Sequence, residues 1–524
     1  MTVAQQQGRA TMNVSLVNEQ DFHKLVERRA EMLLALSAYL AGSDDPQEVL
    51  TRPLLGEFLS QSMQIEELLD NYDAGKNCKW CRMRSLTATV KLFSDASYEL
   101  MHIQHRTPSY RLMPVERDFP AATVEALAFT SEILGQISRA MIDQARQREL
   151  KIPHRPEIAE TFEECQLPGR LAHNCGARHL DSVAETVTLL ATAFLNLASE
   201  SEDVRAASRA RPEEYASRAA TALSEERLRS LEFQFHNLQS QYDTYVSGTL
   251  VENQDTDLPV LRGHASVVFH LLRTATLFAH YYERHLNRRH CTNPSSTGPL
   301  VDPDALLSVL MNYSVTFIDL YIGRAVSLCQ SMLKRYAEVG RIHVPIPKYR
   351  GFHVRPSTLI SKIVLHYGSK VQMLLGDEVY DAGSSLDLFR ANEKINAQKK
   401  RWLKQEIARL NLVPTPEDGH DPIGVVRSVV LALAERGVLI MYEQPLKLPE
   451  SICGSEGTLF EKVTSEAGRL LAMGQIDIGI EMNAEFVGDK RVLADIQVLA
   501  ENGYGEDSFG NNIPLPKKLS YLRR

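Results

Sequence analysis

The chain has 524 residues, a formal net charge of −8 at pH 7 and a hydrophobic fraction of 44%. This length is too great for one compact core, so two or three domains are predicted. The acidic balance argues against a protein that holds nucleic acid through phosphate contacts. Seven cysteines in so long a chain do not suggest a disulfide framework, and we find no signal peptide or membrane-spanning run, so a cytoplasmic protein is expected.

Residues 1–18 are polar and are predicted to form a disordered tail. Residues 19–338 show helical patterns with few strand-like runs, which predicts an all-helical bundle domain. The predicted helices cover residues 19–40, 47–71, 87–105, 121–148, 182–198, 212–246, 263–286 and 304–339.

The sixth of these helices carries a heptad seam. Its apolar residues follow alternate spacings of three and four: Leu228, Leu231, Phe235, Leu238, Tyr242 and Tyr245. The seam is too short for a long coiled coil and indicates either a bundle contact or a dimer face. A homodimer through the helical region is therefore one expectation.

Four residues of the helical region have side chains that can bind zinc, namely Cys78, Cys81, His102 and His105. Their spacing matches no standard zinc-finger pattern, so the preferred interpretation is ordinary packed or exposed side chains, with a metal site or a reactive dithiol as alternatives. Glu99 and His102 resemble one half of a di-iron site, but the chain has no second such pair.

The other histidines of the helical half give weaker evidence for a metal site. Those at 264, 270, 280, 285 and 290 fall on all sides of a helix, which predicts packed or solvated rings and no common metal. His173, Cys175 and His179 lie in a loop-like segment and could bind a metal or substrate, but nothing fixes their geometry. No phosphate-binding glycine loop, Gly-x-Ser-x-Gly elbow or zincin motif is present, so an ATP-dependent enzyme has no support.

Residues 351–356, Gly-Phe-His-Val-Arg-Pro, come just before a clear amphipathic helix pattern. A histidine at this position faces the unpaired amides and the positive dipole of a helix start, where phosphate binds well. A neutral imidazole can accept a phosphoryl group and release it again. Arg355 offers a planar set of donors for phosphate oxygens.

Residues 341–396 resemble the histidine-containing phosphocarrier protein HPr of bacterial sugar phosphotransferase systems. The family signature is Gly-x-His-x-Arg-Pro followed by a small residue, here Gly351, His353, Arg355, Pro356 and Ser357. The family order of strand, active-site loop, helix, strand, strand and helix fits a helix over 356–367, strands over 370–375 and 378–381, and a helix after 383. The resemblance implies an α+β open-faced sandwich, an antiparallel sheet with helices on one face.

The resemblance also implies roles for particular residues. His353 would accept the phosphoryl group and Arg355 would stabilise it. The helix start would contact the phosphate through Val354, Pro356, Ser357 and Thr358. Ser384 stands where some members carry a regulatory serine, although a plain helix cap is the preferred interpretation. Leu386 and Phe389 lie where members dock their partners.

The second half of this domain departs from the family. We predict an HPr-like domain over 339–475 with a helical insertion around 398–436, a fourth strand at 438–442 and a closing helix at 457–473. Residues 476–524, with a strand at 476–480 and a helix at 490–501, are predicted to be a C-terminal extension that could complete the sheet.

The resemblance implies a phosphocarrier. An enzyme I-like kinase that uses phosphoenolpyruvate would phosphorylate His353, and an acceptor protein would take the group. Such a carrier needs no cofactor and has no turnover alone. The fused helical region favours a regulatory branch, because transport carriers need to diffuse freely between partners. The alternative is a protein-interaction or sensor module in which His353 is never phosphorylated and the helical part binds a ligand or metal.

Overall fold

A computed structural model describes residues 16–154, 158–163, 171, 182–286, 299–415, 421–442, 445–450, 452, 456–479 and 482–523. The chain forms two compact units, one of Met1–Val183 with Glu200–Val326 and one of Ala184–Ser199 with Ser327–Arg524. Of the tail predicted to be disordered, only residues 16–18 are described. His173, Cys175, His179 and His290 lie outside the described residues.

The described part of the chain before residue 338 contains helices joined by loops and no strand, as predicted. Its helices are α1 (Glu19–Arg29), α2 (Glu31–Ala41), α3 (Pro46–Val49), α4 (Arg52–Asn71), α5 (Cys81–Arg106), α6 (Phe119–Gln147), α7 (Ile158–Thr161), α8 (Val183–Glu200), α9 (Glu202–Ala207), α10 (Tyr215–Ala219), α11 (Glu225–Tyr245), α12 (Leu250–Gln254), α13 (Leu258–Tyr281), α14 (Pro303–Val309) and α15 (Thr316–Arg335). Short 3₁₀ or π turns occur at Ala74–Lys76, Thr107–Ser109, Pro212–Glu214, Tyr282–Leu286 and Leu310–Val315.

The heptad seam lies on α11, which begins where Ser224 accepts a hydrogen bond from the Arg227 amide. This cap separates α11 from α10, so the single helix predicted over 212–246 is two. Leu228, Leu231 and Phe235 of the seam are fully buried, and α11 packs against α13 in the same unit. The seam is a bundle contact, and a homodimer through the helical region stays a prediction.

One continuous helical stretch of the described chain, Pro303–Arg335, has the length and the mean hydropathy, 1.5, of a membrane span. The sequence analysis, which found no membrane-spanning run, missed this stretch. The most apolar 18 residues of this stretch are 61% buried inside the structure. A core helix of a water-soluble protein has the same property.

The second unit contains α8 and the elements that follow α15. In chain order these are β1 (Val339–Pro345), α16 (Val354–Tyr367), β2 (Val371–Leu375), β3 (Glu378–Asp381), α17 (Ser385–Arg409), α18 (Pro422–Glu435), β4 (Leu439–Met441), α19 (Leu459–Ala472), β5 (Ile476–Ile478), β6 (Asn483–Asp489) and α20 (Lys490–Glu501), with 3₁₀ turns at Gly503–Gly505 and Lys517–Leu522.

Four strands form an antiparallel sheet in the order β1-β6-β2-β3. The central strand β6 places Phe486 opposite both Ile342 of β1 and Met373 of β2. Phe486 and Met373 are fully buried, whereas Gln372, one residue from Met373, is exposed. This alternation leaves one buried face. Helix α20 packs against β1 and β6, and α16 packs against α20, with a hydrogen bond from the Tyr367 hydroxyl to Asp495 Oδ2 at 2.9 Å.

The fourth strand is β6 and the closing helix is α20, so the assignment of these roles to 438–442 and 457–473 is wrong. The strand at 439–441 pairs instead with β5 in a separate two-stranded sheet. Residues 476–524 therefore contain β6, one of the two central strands of the main sheet, and the boundary predicted after 475 divides one unit.

Between α17 and β6 the chain builds a small core of its own. The side chains of α18, β4, α19 and β5 bury Val426, Val430, Val463, Leu470 and Ile476 together with the last turns of α17. This inserted lobe, residues 410–482, is larger than the purely helical insertion predicted at 398–436, and it contains strands.

Helix α8 belongs to the second unit although it lies within the N-terminal half of the sequence. Asn196 Oδ1 lies 3.1 Å from His366 Nε2 of α16. The Ser199 hydroxyl donates to the Tyr521 carbonyl at 3.2 Å, and Arg491 Nη1 donates to Thr188 Oγ1 at 3.3 Å. The boundary predicted at residue 338 therefore misses this helix.

Candidate functional site

The loop between β1 and α16 turns sharply just before His353. Arg350 and Gly351 both have left-handed backbones, with φ of 53° and 63°. A Cβ at Gly351 would lie 2.2 Å from Asn392 Oδ1, so only glycine fits there. The turn brings the His353 amide to the Gly351 carbonyl at 2.8 Å and makes His353 the N-cap residue of α16.

The start of α16 supplies fewer donors than the sequence suggests. Pro356 has no N–H, and the Ser357 amide donates to the His353 carbonyl at 3.2 Å. The hydroxyls of Ser357 and Thr358 donate to the carbonyls of Phe352 and Val354 at 2.9 and 2.7 Å. Within the described chain, the amides of Val354 and Arg355 are left as the unpaired donors of this turn.

The imidazole of His353 is partly accessible, with 21% of its side chain exposed. Its Nδ1 lies 3.1 Å from the Gly351 carbonyl oxygen, and its Nε2 lies 3.3 Å from Glu506 Oε2. The ring makes no capping bond to the amides of α16 and packs edge-on against Tyr349, with centroids 5.4 Å apart. Burial lowers the pKa of His353, but the Glu506 carboxylate and the Gly351 carbonyl raise it by more, so it lies above the usual value of 6.5.

Arg355 lies beside the same C-terminal segment that supplies Glu506. A Cβ at Gly505 would come within 3.3 Å of Arg355 Nη2. The Arg355 Nε–H is buried and has no hydrogen-bond partner among the described residues. This guanidinium therefore keeps donor capacity two residues after the histidine.

Helix α17 and the inserted lobe hold the loop from the other side. Asp477 Oδ2 accepts from the Arg350 amide at 3.1 Å, and Asp477 Oδ1 pairs with Lys399 Nζ at 2.6 Å. The side chains of Lys399 and Asp477 are only 5% and 4% exposed. Asn392 donates to the Arg350 carbonyl at 2.8 Å, and Arg350 Nη2 donates to the Gly474 carbonyl at 2.7 Å.

Several buried polar atoms around this loop have no partner within the described part of the chain. They are Arg350 Nε, Arg355 Nε, Asn392 Oδ1, the Tyr442 hydroxyl and Glu506 Oε1. The Tyr442 ring contacts Tyr349 edge-on at 4.9 Å and so belongs to the same cluster. Unsatisfied buried polar groups are rare in folded proteins, and their concentration around one accessible histidine indicates a functional site.

The other residues of the predicted site lie on α17. Ser384 is its N-cap residue, and its hydroxyl accepts from the Asp387 amide at 3.2 Å, which is the preferred helix-cap role. Leu386 and Phe389 are 66% and 44% exposed, as a docking surface requires, and Val354 next to His353 is 70% exposed.

The four zinc-binding candidates do not come together. Cys81 begins α5 and His102 lies near its far end, so the two are about 30 Å apart at 1.5 Å per residue. Cys78 is a free, exposed thiol, whereas Cys81 is disulfide-bonded, which the cysteine count did not suggest. The metal site formed by Cys78, Cys81, His102 and His105 is therefore wrong, and within the described residues no other group of side chains is arranged to hold a metal.

His102 instead meets His270 of α13, with ring centroids 4.4 Å apart, a contact that the sequence did not reveal. His270 Nδ1 is bonded to Glu99, whose other oxygen lies 3.1 Å from Arg273 Nε. Burial and the neighbouring His270 lower the pKa of His102 to about 4, so this ring is neutral at pH 7. The cluster is a packed ion network of the helical unit.

No protein-family model, no curated protein and no solved structure matches this chain. Function is therefore inferred from the geometry around His353. Sequence reasoning missed Glu506, Asp477 and Lys399, because they lie up to 153 positions from the histidine and belong to no motif.

Proposed function

We propose that residues 339–501 form an HPr-like phosphocarrier domain interrupted by the lobe at 410–482, and that His353 accepts and donates a phosphoryl group. The order β1, loop, α16, β2, β3, α17, β6, α20 supports this assignment. It is the order of strand, active-site loop, helix, strand, strand, helix, strand and helix that the resemblance implies.

The observation that carries the proposal is the position of His353. Its ring is partly exposed at the residue that precedes α16, on a turn fixed by two left-handed residues. The unpaired amides of Val354 and Arg355 and the free Nε–H of Arg355 are the donors that a phosphate on this ring would use. These donors would stabilise the negative charge of a phosphoryl group bound next to His353.

In the proposed reaction an enzyme I-like kinase, charged by phosphoenolpyruvate, presents a phosphoryl group to neutral His353. A ring nitrogen attacks phosphorus, and the bond to the donor breaks. An acceptor protein then attacks the same phosphorus and leaves the imidazole free. The exposed apolar residues Val354, Leu386 and Phe389 would dock these partners in the cytoplasm. The fused helical unit favours a regulatory branch over bulk sugar import.

A second function has one observation in its favour. Both ring nitrogens of His353 have partners, Gly351 and Glu506, as they would in a histidine kept protonated for structure alone. In that case the domain is an interaction or sensor module, and no phosphoryl group is carried.

Labelling with radioactive phosphoenolpyruvate and an enzyme I-like kinase distinguishes the carrier function from the interaction or sensor function. The full chain is expected to take up acid-labile label, and His353→Gln to take up none. His343→Gln is the matched control, because His343 lies ten residues earlier on β1 with 64% of its side chain exposed. Equal labelling of His353→Gln and the unaltered chain would refute the carrier function.

A further inference from the structure

The helical unit contains a groove of its own. The groove has a volume of about 400 Å³ and lies between the segment 107–120, which joins α5 to α6, and Tyr321 of α15. Leu112, Met113 and Val115 give it half-buried apolar walls. Sites that hold small organic molecules have volumes from this size upwards, so the groove is large enough for a small ligand.

Aromatic side chains form the floor of the groove. Phe119 and Tyr321 are only 2% and 3% exposed and pack edge-on, with centroids 5.1 Å apart. Phe317 packs on the same Phe119 ring at 4.8 Å. Rings packed in this way offer a rigid apolar surface to a ligand. The Tyr321 hydroxyl adds one polar group, because it has no hydrogen-bond partner within the described chain and is not sealed in the core.

The wall opposite Tyr321 has a strained backbone. The Tyr110 carbonyl lies so close to α13 that a Cβ at Gly263 would come within 1.7 Å of the carbonyl oxygen. Tyr110 is 3% exposed, and Arg262 lies over its ring at 5.7 Å. The next residue, Arg111, has a left-handed backbone with φ of 51°, which a non-glycine residue rarely adopts. Such strain persists where the surrounding structure holds it and is typical of ligand sites, so Arg111 is fixed beside the groove.

Two arginines make the groove positive. Its lining contains Arg111, Arg117 and Asp118, two cations and one anion, in a chain whose net charge is −8. The Asp118 carboxylate already accepts from the Ala121 amide at 3.0 Å as the N-cap of α6. The Arg111 guanidinium has no ion-pair or hydrogen-bond partner among the described residues. Arg117 makes one long hydrogen bond, to the Asn312 carbonyl at 3.4 Å, so both guanidinium groups keep donors for an anion.

We propose that this groove binds a small organic anion, whose carboxylate or phosphate group is held by Arg111 and Arg117 and whose apolar body lies on the aromatic floor. Guanidinium groups bind both kinds of anion through paired hydrogen bonds. The positive end of α6, a helix of 29 residues that begins in the lining, favours the same charge. The site belongs to the helical unit and does not depend on phosphorylation of His353.

The first test uses the fluorescent aromatic anion anilinonaphthalene sulfonate as a probe for the full chain. In the double variant Arg111→Gln and Arg117→Gln its dissociation constant is expected to rise at least about tenfold, because two charge-assisted contacts are lost. The double variant Arg139→Gln and Arg146→Gln is the matched control, since both arginines are exposed on α6 and lie outside the lining. Equal dissociation constants in the two double variants would overturn the proposal.

Displacement of the probe then defines the class of ligand. Phenylacetate and phenyl phosphate carry a ring and an anionic group, whereas benzyl alcohol lacks the charge and inorganic phosphate lacks the ring. We expect at least one of the two ring-bearing anions to displace the probe, and the better one identifies the preferred anionic group. Displacement by benzyl alcohol or inorganic phosphate at the same concentrations would contradict the need for both parts. Failure of both ring-bearing anions would overturn the proposal.

A chemical label locates the site. Phenylglyoxal modifies accessible arginines, and mass spectrometry of the full chain identifies which of them react. The better ring-bearing anion, at saturating concentration, is expected to slow the modification of Arg111 and to leave that of Arg146 unchanged. Equal rates at Arg111 with and without the anion would place binding elsewhere and would refute the assignment of the groove.

Discussion

At the scale of single residues, the pair formed by His353 and Glu506 couples the site to pH. Burial lowers the pKa of His353, but the Glu506 carboxylate and the Gly351 carbonyl together raise it by more, so the pKa lies above 6.5 in the folded chain. A raised pKa means that the folded state binds the proton more tightly than the unfolded state. The pair therefore stabilises the fold fully below pH 6.5, and this contribution is lost as the pH rises through the folded pKa.

Glu506→Gln is expected to lower the free energy of unfolding by about 1 kcal/mol on the acid side of this window. The loss should shrink as the pH rises, because neutral His353 gains less from the carboxylate. Urea unfolding at a series of pH values measures it, with Glu501→Gln, which removes an exposed charge from the end of α20, as control. A loss that is constant with pH would mean that Glu506 contributes packing and not charge.

The buried pair formed by Lys399 of α17 and Asp477 of the inserted lobe supports the loop before α16. Lys399→Met leaves a carboxylate buried without its cation, for which the expected loss of stability is about 3–5 kcal/mol. Lys394→Met is the matched control on the same helix, because Lys394 pairs with Glu378 at 25% and 56% exposure and should cost at most about 1 kcal/mol. Equal losses in thermal or urea unfolding would contradict a buried supporting role.

At the scale of elements, the loop before α16 depends on glycine at one position. Gly351→Ala places a Cβ on Asn392 Oδ1, whereas Gly376→Ala, with the same φ of 63°, has Lys394 Nζ at 3.8 Å as its nearest neighbour. The left-handed backbone lowers the free energy of unfolding of both variants by about 1–2 kcal/mol. Only Gly351→Ala should also displace the turn, so its phosphorylation rate should fall well below that of Gly376→Ala. Equal rates in the two variants would contradict this account of the loop.

The first elements of the sheet unit could be predicted from sequence because local signals agree there. The helix predicted at 356–367 is Val354–Tyr367, and the strand predicted at 378–381 is Glu378–Asp381. The fourth strand was misassigned because 439–441 is a short apolar run, whereas 483–489 carries Asn483, Glu485 and Asp489 and gives only a weak strand signal, so tertiary packing decides which one joins the main sheet. The same reason hid Glu506, whose contact with His353 depends on how the C-terminal segment folds back.

At the scale of the whole molecule, the units do not follow the order of the chain. Helix α8 leaves the helical half and joins the sheet unit, where it contacts α16 and residues 491 and 521. Sequence patterns predicted this helix well at 182–198 but could not assign it, because its partners lie more than 150 residues away.

Because α8 is part of the second unit, residues 327–524 alone lack one of the helices of their own fold. The fragment 327–524 is expected to be less stable than the same region in the full chain, since His366 and Arg491 lose Asn196 and Thr188. A synthetic peptide of residues 182–201 should restore protection, measured by hydrogen exchange of α16. A peptide with the same composition in scrambled order is the control, and equal effects of the two peptides would contradict the assignment.

The most direct measurement of the central claim is the mass of the peptide that contains His353 after the full chain meets phosphoenolpyruvate and an enzyme I-like kinase. Digestion and fragmentation under alkaline conditions preserve phosphohistidine. We expect a phosphoryl group on His353 that is lost on brief acidification. An unmodified peptide, while the kinase itself becomes phosphorylated in the same mixture, would contradict the account.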